Sequence, residues 1–464
     1  MHGHAFEGDR RRESTDLVVT LPVQLGTDCV RPLGARRELK NLRWIFAGLL
    51  ALATALSYFD RQSFPIVAGE IRKEIPLSTE EYGYITSLFL LAYAIMYAVG
   101  GRIIDLLGTR AGYALMILWW SAANFLTGTV SSVFTLGTSR FLLGMGEGGG
   151  FPGSAKAVAE WFPARERSTA FGVFNFGSSI GAIAAPPLVV LIVSTLGWRW
   201  VFFITGSLGF IWGLVWLKVY QPPATNRFVS ADELAHIQDV PAAGPPACTK
   251  ISWIALFGYR EVWGMMAAKF ISDAAWYFYI FWLPKYLSDV RHLDIKGIGY
   301  FAWIPFAAAG AGSLIGGWLG AELIRRGVSL DLSRKIVLAI GASLMPVSLF
   351  IAAAPFSLVI VFFSLAMFAH QFWSANIQTL PADLFPTNAI GSVGGLLGSA
   401  GSFGGMLFGL IVGWLAANYG YGPVFVMAGI FHPIAFVVIL TVVRRIQPMH
   451  VIAPRTEICA RSYF

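Results

Sequence analysis

The sequence predicts an all-α membrane protein with twelve transmembrane helices in two pseudo-symmetric six-helix bundles. Three observations carry that prediction. Only 13% of the 464 residues are charged and 56% are hydrophobic, whereas a soluble globular chain carries about 25% charged residues. Apolar runs of about 20 residues recur along the chain, each long enough to cross a bilayer. They fall into two sets of six, separated by a polar stretch rich in proline.

Taken in order, residues 1–42 form a polar tail with Arg10, Arg11, Arg12, Arg31, Arg36, Arg37 and Lys40, a composition expected to be disordered. It lacks the apolar core of a secretory signal. The N-terminal bundle, 43–220, holds apolar segments at roughly 44–66, 82–101, 111–130, 133–159, 168–194 and 198–220. The central loop, 221–260, contains Pro222-Pro223, Pro241 and Gly244-Pro245-Pro246, which break helices. Within it, Ser230-Ala231-Asp232-Glu233 predicts the capped start of a short surface helix. The C-terminal bundle, 261–445, holds segments at roughly 262–290, 297–324, 334–354, 356–382, 388–418 and 421–443, and a tail, 446–464, follows.

Lysine and arginine placement predicts the orientation. With the N-terminus inside, the inner loops collect Arg102, Arg110, Arg165, Arg167, Arg227, Lys250, Arg260, Arg325, Arg326, Arg334 and Lys335. The outer loops hold only Arg72, Lys73, Arg199, Lys285, Arg291 and Lys296. Both termini are therefore expected in the cytoplasm, and the formal charge of +8 needs no nucleic-acid partner. Cys29, Cys248 and Cys459 suit neither a metal site nor a disulfide framework. The halves also echo each other: Gly100-Gly101-Arg102 through Arg110 follows the second segment, and Gly316-Gly317 through Gly327 follows the eighth. Repeats of this kind suit transporters that hold their substrate between two halves near the bilayer midplane.

Charges inside the apolar segments mark the candidate site, because ionisable groups at membrane depth are costly and normally face a bundle interior or aqueous cavity. Arg140 and Glu147 lie seven residues apart in a glycine-rich segment, hence on one helix face about 10 Å apart along the axis. Glu147 could serve function or simply neutralise Arg140. Asp60 and Arg61 are adjacent in the first segment and point about 100° apart, so each needs a partner on another helix.

The chain resembles the major facilitator superfamily. Gly101 to Arg110 is similar to that superfamily's loop signature, which implies a gating role for Asp105 and Arg110; Leu106 stands where the signature has a basic residue, which weakens the expected charge relay. Within the superfamily it resembles the anion:cation symporters, through Tyr58-Phe59-Asp60-Arg61, Gly146-Glu147-Gly148 with Phe151-Pro152, Lys156, Trp161-Phe162-Pro163, Glu166-Arg167, and Gly197-Trp198-Arg199-Trp200. Phe174 to Ser179, Trp276 to Tyr279 and His370 to Asn376 resemble the bacterial hexuronate and aldonate transporters.

The resemblance implies proton-coupled import of an organic acid, first of all a hexuronate (galacturonate or glucuronate) or related sugar acid, by alternating access across a bacterial inner membrane, as a monomer and without a cofactor. Arg61 would hold the substrate carboxylate with help from Tyr58 and Tyr93. Asp60 and Glu147 would carry protons, and Arg140 would pair with whichever carboxylate is ionised. Asn175, Ser178, Ser179, Gln371, Ser374, Asn376 and Thr379 could bind a polyhydroxylated ligand or could bridge membrane helices. Trp276, Tyr277 and Trp373 could stack on a sugar ring or pack. His370 reads as a pH-sensitive element or, more readily, as a hydrogen-bonded structural histidine, Lys269 and Asp273 as a mutually satisfied pair one turn apart, and Asp383 as a cap or gate residue. The glycines of the eleventh segment, Gly394 to Gly409, predict close packing within one protomer.

Other acids (aldonate, tricarboxylate or aromatic), sodium coupling and a non-transporting sensor are the competing readings. The seven histidines show no ligand spacing beyond His2 and His4, so neither a metal site nor an enzyme is expected. There is no P-loop for an ATP-driven pump.

Overall fold

The computed structural model describes residues 41–226, 228–238 and 253–449. Nearly all of both expected tails and the proline-rich part of the central loop lie outside them. Among the described residues every regular element is helical. The N-terminal half comprises α1 (Leu42–Glu74), α2 (Thr79–Thr127), α3 (Val133–Gly148), α4 (Gly150–Trp161), α5 (Ala164–Leu196) and α6 (Trp198–Val219). Short helices α7 (Ala231–Gln238) and α8 (Trp253–Leu256) follow in the central segment. The C-terminal half comprises α9 (Arg260–Asp289), α10 (Ile295–Phe301), α11 (Trp303–Arg325), α12 (Leu330–Leu344), α13 (Phe356–Ile377), α14 (Leu380–Leu384), α15 (Thr387–Asn418) and α16 (Gly422–Val438). A 3-10 turn, Met345–Phe350, extends α12, and a π turn, Ile439–Val443, extends α16.

Nine helical stretches among the described residues are long and apolar enough to cross a membrane. One of them, α2, contains two crossings. Its 49 residues would run about 74 Å at 1.5 Å per residue, more than twice a bilayer core. The chain reverses at Gly108, whose φ of 77° and ψ of 156° are open to glycine without strain. The remaining crossings are α3 with α4, interrupted at Gly149, and α9, which carries Lys269, Asp273 and Lys285. The described residues thus make the twelve crossings expected.

The two halves repeat one packing scheme. The first crossing packs on the fifth and the seventh on the eleventh; the second packs on the fourth and the eighth on the tenth; the third packs on the sixth and the ninth on the twelfth. Between halves, α2 packs on α15 and α5 on α11. Small residues permit these contacts, since lipid supplies no hydrophobic drive between helices. On α5, Gly177 and Gly181 press against the carbonyls of Ala51 and Ala55; on α15, Gly404 presses against the carbonyl of Phe270. Of the eleventh segment's glycines, Gly398, Gly401, Gly404, Gly405 and Gly409 therefore serve packing within the protomer, whereas a side chain at Gly394 or Gly395 would meet nothing within 4 Å.

A Cβ on Gly404 would lie 2.0 Å from the Phe270 carbonyl oxygen, whereas one on Gly317 meets nothing within 4 Å. Gly404→Val should therefore destabilise by about 1–3 kcal/mol through overpacking, and Gly317→Ala should be neutral. Thermal unfolding of the purified protein in detergent checks both.

We call the side where α1 begins the near face and the side where it ends the far face. Among the described residues the hydrogen bonds that join the two bundles lie in the far half. Tyr82 donates to the Phe281 carbonyl, Ser87 to the Met406 carbonyl at 3.0 Å, and Asn418 to Glu80 at 3.3 Å. Arg72 pairs with Asp289 at 3.4 Å. The hydrogen-bonded ties thus lie at the far face, and the space between the bundles is lined on the near side by Ala53, Gln378, Pro381 and Gly394. There, the Glu233 carboxylate on α7 accepts from the backbone nitrogens of Leu42 and Arg43, at 3.0 and 3.1 Å, and so caps α1. Ser230 accepts from the Glu233 nitrogen, as its sequence predicts.

Candidate functional site

Between the bundles lies a cavity of about 1360 Å³, its open mouth included. Arg61 of α1 and Glu147 of α3 border it. Both are buried, 3% and 2% exposed. The Arg61 Nε and Nη2 donate to one carboxylate oxygen of Glu147, at 3.1 and 2.8 Å. The guanidinium is boxed by the rings of Tyr93, Tyr58 and Phe89, at 4.6, 4.8 and 5.4 Å from their centroids, which adds cation–π attraction. Glu147 Oε1 is buried without a hydrogen-bond partner.

Because neighbours on a helix diverge by about 100°, Asp60 points away from that cavity wall into the bundle. There Asn124 of α2 donates to Asp60 Oδ1 at 2.8 Å and to Thr205 at 2.7 Å. Its carbonyl oxygen accepts from Arg140 at 3.3 Å, and Thr127 also accepts from Arg140. Asp60 Oδ2 and Arg140 Nε are buried and unpartnered. The four charges therefore form two layers: the Arg61–Glu147 pair at the cavity and an Asp60–Asn124–Arg140 chain behind it.

This corrects one expectation. Arg140 pairs with neither carboxylate directly; it lies in the bundle interior, off the cavity. Seven residues return a helix to the same face but also advance it two turns. Glu147 thereby meets Arg61, while Arg140 sits deeper, with Phe202 and Phe64 near its guanidinium at 5.2 and 5.8 Å.

Of the other expected residues, Tyr58, Tyr93, Asn175, Ser178, Ser179, Trp276, Tyr277, Gln371 and Ser374 border the cavity. Trp373, Asn376 and Thr379 do not. On α13 the cavity stripe runs through His370, Gln371 and Ser374, and positions 373 and 376 fall outside that arc of the 3.6-residue turn. Trp373 is fully buried against His432 and Phe436. Asn376 donates to the Gly316 carbonyl at 2.9 Å and accepts from Arg334 at 3.1 Å, which staples α13 to α11 and α12. Thr379 donates to the Asn376 carbonyl at 2.8 Å.

The gate residues also part company. Asp105 pairs with Lys156 of α4 at 2.7 Å, while Arg110 donates to the Leu217 carbonyl of α6. The reversal at Gly108 lies between them and turns Arg110 away. Asp383 pairs with Arg334 at 2.8 Å.

Residues the sequence did not single out complete the site. Ser57, Tyr97, Ser313 and Ser402 border the cavity. Asn124, Thr127 and Thr205 hold the inner layer, and their only signal was polarity inside apolar segments. Lys269 and Asp273 form the expected pair at 2.7 Å, and both border the cavity. His370 is hydrogen-bonded to His432 at 3.0 Å. Removing Asn124 should strand both of its charged neighbours. Asn124→Leu is therefore expected to destabilise by about 2–4 kcal/mol, visible as a lower melting temperature, with Asn124→Ser intermediate.

Residues 50–330 match the sequence model of the Major Facilitator Superfamily. The hexuronate transporter of Escherichia coli (strain K12) is 35% identical over 427 residues, covering 91% of this chain and 98% of that protein. The D-galactonate transporter of Escherichia coli O6:H1 is 31% identical over 398 residues, covering 83% and 91%. The galacturonate transporter of Dickeya chrysanthemi is 35% identical over 311 residues, covering 66% and 90%. Among solved structures, a bacterial homolog of the human lysosomal transporter Spinster, in an inward-facing and occupied conformation, aligns with a TM-score of 0.65 at 18% identity. It covers 88% of this chain and 98% of that one, and so shares the fold.

Proposed function

The chain belongs to the Major Facilitator Superfamily and is a transporter rather than an enzyme, and from that premise we propose that it imports a hexuronate, such as galacturonate or glucuronate, together with protons by alternating access. The observation that carries the reading is the buried Arg61–Glu147 pair at the wall of the central cavity. An arginine fork matches a carboxylate and stays charged, but here Glu147 occupies it. A substrate carboxylate can take that fork only when Glu147 is neutral. Its unpartnered Oε1 is the atom on which we place the proton. Asp60, with Oδ2 equally free, is assigned a second proton, which would loosen its hold on Asn124 and so on Arg140.

The cycle then reads as follows. With the cavity open outward, protons neutralise the carboxylates and Arg61 takes the acid. After the bundles rock, the protons leave to the cytoplasm, Glu147 reclaims Arg61, and the anion is expelled. The near face carries the basic inner loops, so we assign it to the cytoplasm of a bacterial inner membrane, with both termini there. The closed Arg61–Glu147 pair beneath a near-face opening is then the arrangement expected after release. The gate roles of Asp105 and Arg110 become separate ties of α2, one to α4 and one to α6. The neutral groups Asn175, Ser178, Ser179, Gln371 and Ser374 are assigned to sugar hydroxyls, and the working unit is a monomer without cofactor.

Uptake into proteoliposomes with an imposed pH gradient, acid outside, tests the reading. Labelled galacturonate should accumulate, and glucuronate should compete better than galactonate, citrate or benzoate. Binding without flux would make the protein a sensor. Accumulation that follows a sodium gradient alone would remove the proton.

A further inference from the structure

Two charges in the cavity wall have no part in that cycle. Lys269 and Asp273 stand one turn apart on α9, are 7% and 6% exposed, and pair at 2.7 Å. A buried pair that only neutralises itself gains little over apolar residues of the same size, and at membrane depth it is a costly feature. The surroundings give it a use. The Asp273 carboxylate fills a notch at Gly401 of α15, where a Cβ would lie 2.3 Å from Oδ2. Its Oδ1 has only a long contact from Ser272, at 3.5 Å. Lys269 carries three N–H donors and spends one on Asp273. Within one turn, Trp276 also borders the cavity, its ring stacked on His370 at 4.8 Å with an interplanar angle of 7°. His432 holds His370 from behind at 3.0 Å. This wall thus offers a braced flat ring beside a donor–acceptor pair with unused capacity.

We propose that Lys269, Asp273 and Trp276 form the subsite for the hydroxyl-bearing end of a sugar monoacid. This rests on the hexuronate reading above. The acid end lies at Arg61 on the N-terminal wall. The apolar face of the ring covers Trp276. Two neighbouring hydroxyls bridge the pair, one accepting from Lys269 and one donating to Asp273. Charge balance sets the specificity. Lys269 is already neutralised, so the second carboxylate of a diacid would have to displace Asp273 and leave a buried negative charge uncompensated. Hydroxyls engage the pair without breaking it. The subsite therefore favours the monoacid over the corresponding diacid.

The test is competition against labelled galacturonate uptake in proteoliposomes, using the 2-, 3- and 4-deoxy analogues and the diacid galactarate. Wild-type protein should bind at least one deoxy analogue about 10- to 100-fold more weakly than galacturonate, the range for hydrogen bonds to charged groups. Lys269→Met/Asp273→Leu removes both charges together. It should raise the KM for galacturonate by about the same factor, leave that analogue's inhibition constant unchanged, and keep the response to the pH gradient. Lys269→Gln/Asp273→Asn, which preserves shape and some hydrogen bonding, should fall between; it carries the test if the first variant elutes as aggregate. A purely structural pair would weaken every acid alike, and that outcome overturns the subsite. So does unchanged discrimination in both variants. Wild-type preference for galactarate would give Lys269 a second carboxylate and overturn the hydroxyl assignment. Wild-type protein that moves another acid but no hexuronate fails at the earlier reading and takes this one with it.

Discussion

Glu147→Gln should abolish uphill accumulation of the acid while exchange of labelled for unlabelled substrate across the membrane continues. Glutamine has the shape of a protonated glutamate and cannot lose the proton. Arg61, whose two donors converge on Glu147 Oε2 at 3.1 and 2.8 Å, would then always be open to the substrate. Binding should persist and lose the part of its pH dependence that Glu147 supplies. The loaded carrier can still rock, because the substrate carboxylate neutralises Arg61. The empty carrier cannot return easily, since it must close around an unpaired guanidinium, at about 3–5 kcal/mol for breaking one side of a buried pair. Net uptake needs that return and exchange does not. Proton-driven uptake should fall at least about a hundredfold, with counterflow within about twofold of wild type. Both assays run in the same proteoliposomes. Normal accumulation by the variant would remove Glu147 from the proton path.

How far the sequence anticipates this site depends on the kind of information each feature needs. Crossings are legible because bilayer thickness fixes a minimum length of apolar chain, and the repeated halves are legible in Gly100-Gly101 and Gly316-Gly317. The charged residues are legible because membrane depth penalises them. Pairing between helices is not, because it depends on how neighbouring helices are rotated and how deep each residue sits; only a pair within one helix, such as Lys269 and Asp273, is. Arg140 and Glu147 share a face, yet two turns of rise give them different partners, Asn124 and Thr127 for one and Arg61 for the other. The same limit separates Ser374, which borders the cavity, from Trp373 beside it, which does not. Composition marks both segments as polar or aromatic, and only helix phase tells which side chains face inward. Asn124 escapes notice for the complementary reason: a lone neutral amide in an apolar run has little signal, although it links the two inner charges.

Arg61→Ala should eliminate measurable binding of the acid. The guanidinium is held in place by Tyr58, Tyr93 and Phe89 before any ligand arrives, so little ordering is needed when a carboxylate replaces Glu147. Losing one member of such a buried, hydrogen-bonded charge pair is worth about 2–5 kcal/mol, or roughly 30- to several-thousand-fold in affinity. Arg61→Lys keeps the charge but not the planar fork, so it should recover only part of the binding. The change also leaves Glu147 without its partner, and a loss of binding could then reflect a damaged bundle. Arg61→Ala/Glu147→Gln separates the two effects. With no buried charge left unpaired, the double variant should regain the melting temperature lost by the single one. Its binding should stay absent, because nothing remains to hold the acid. Titration of the purified proteins with galacturonate, beside their thermal unfolding, reads both quantities. An unchanged Kd in the single variant would place the acid elsewhere in the cavity, and recovered binding in the double variant would show that Arg61 serves the bundle rather than the ligand.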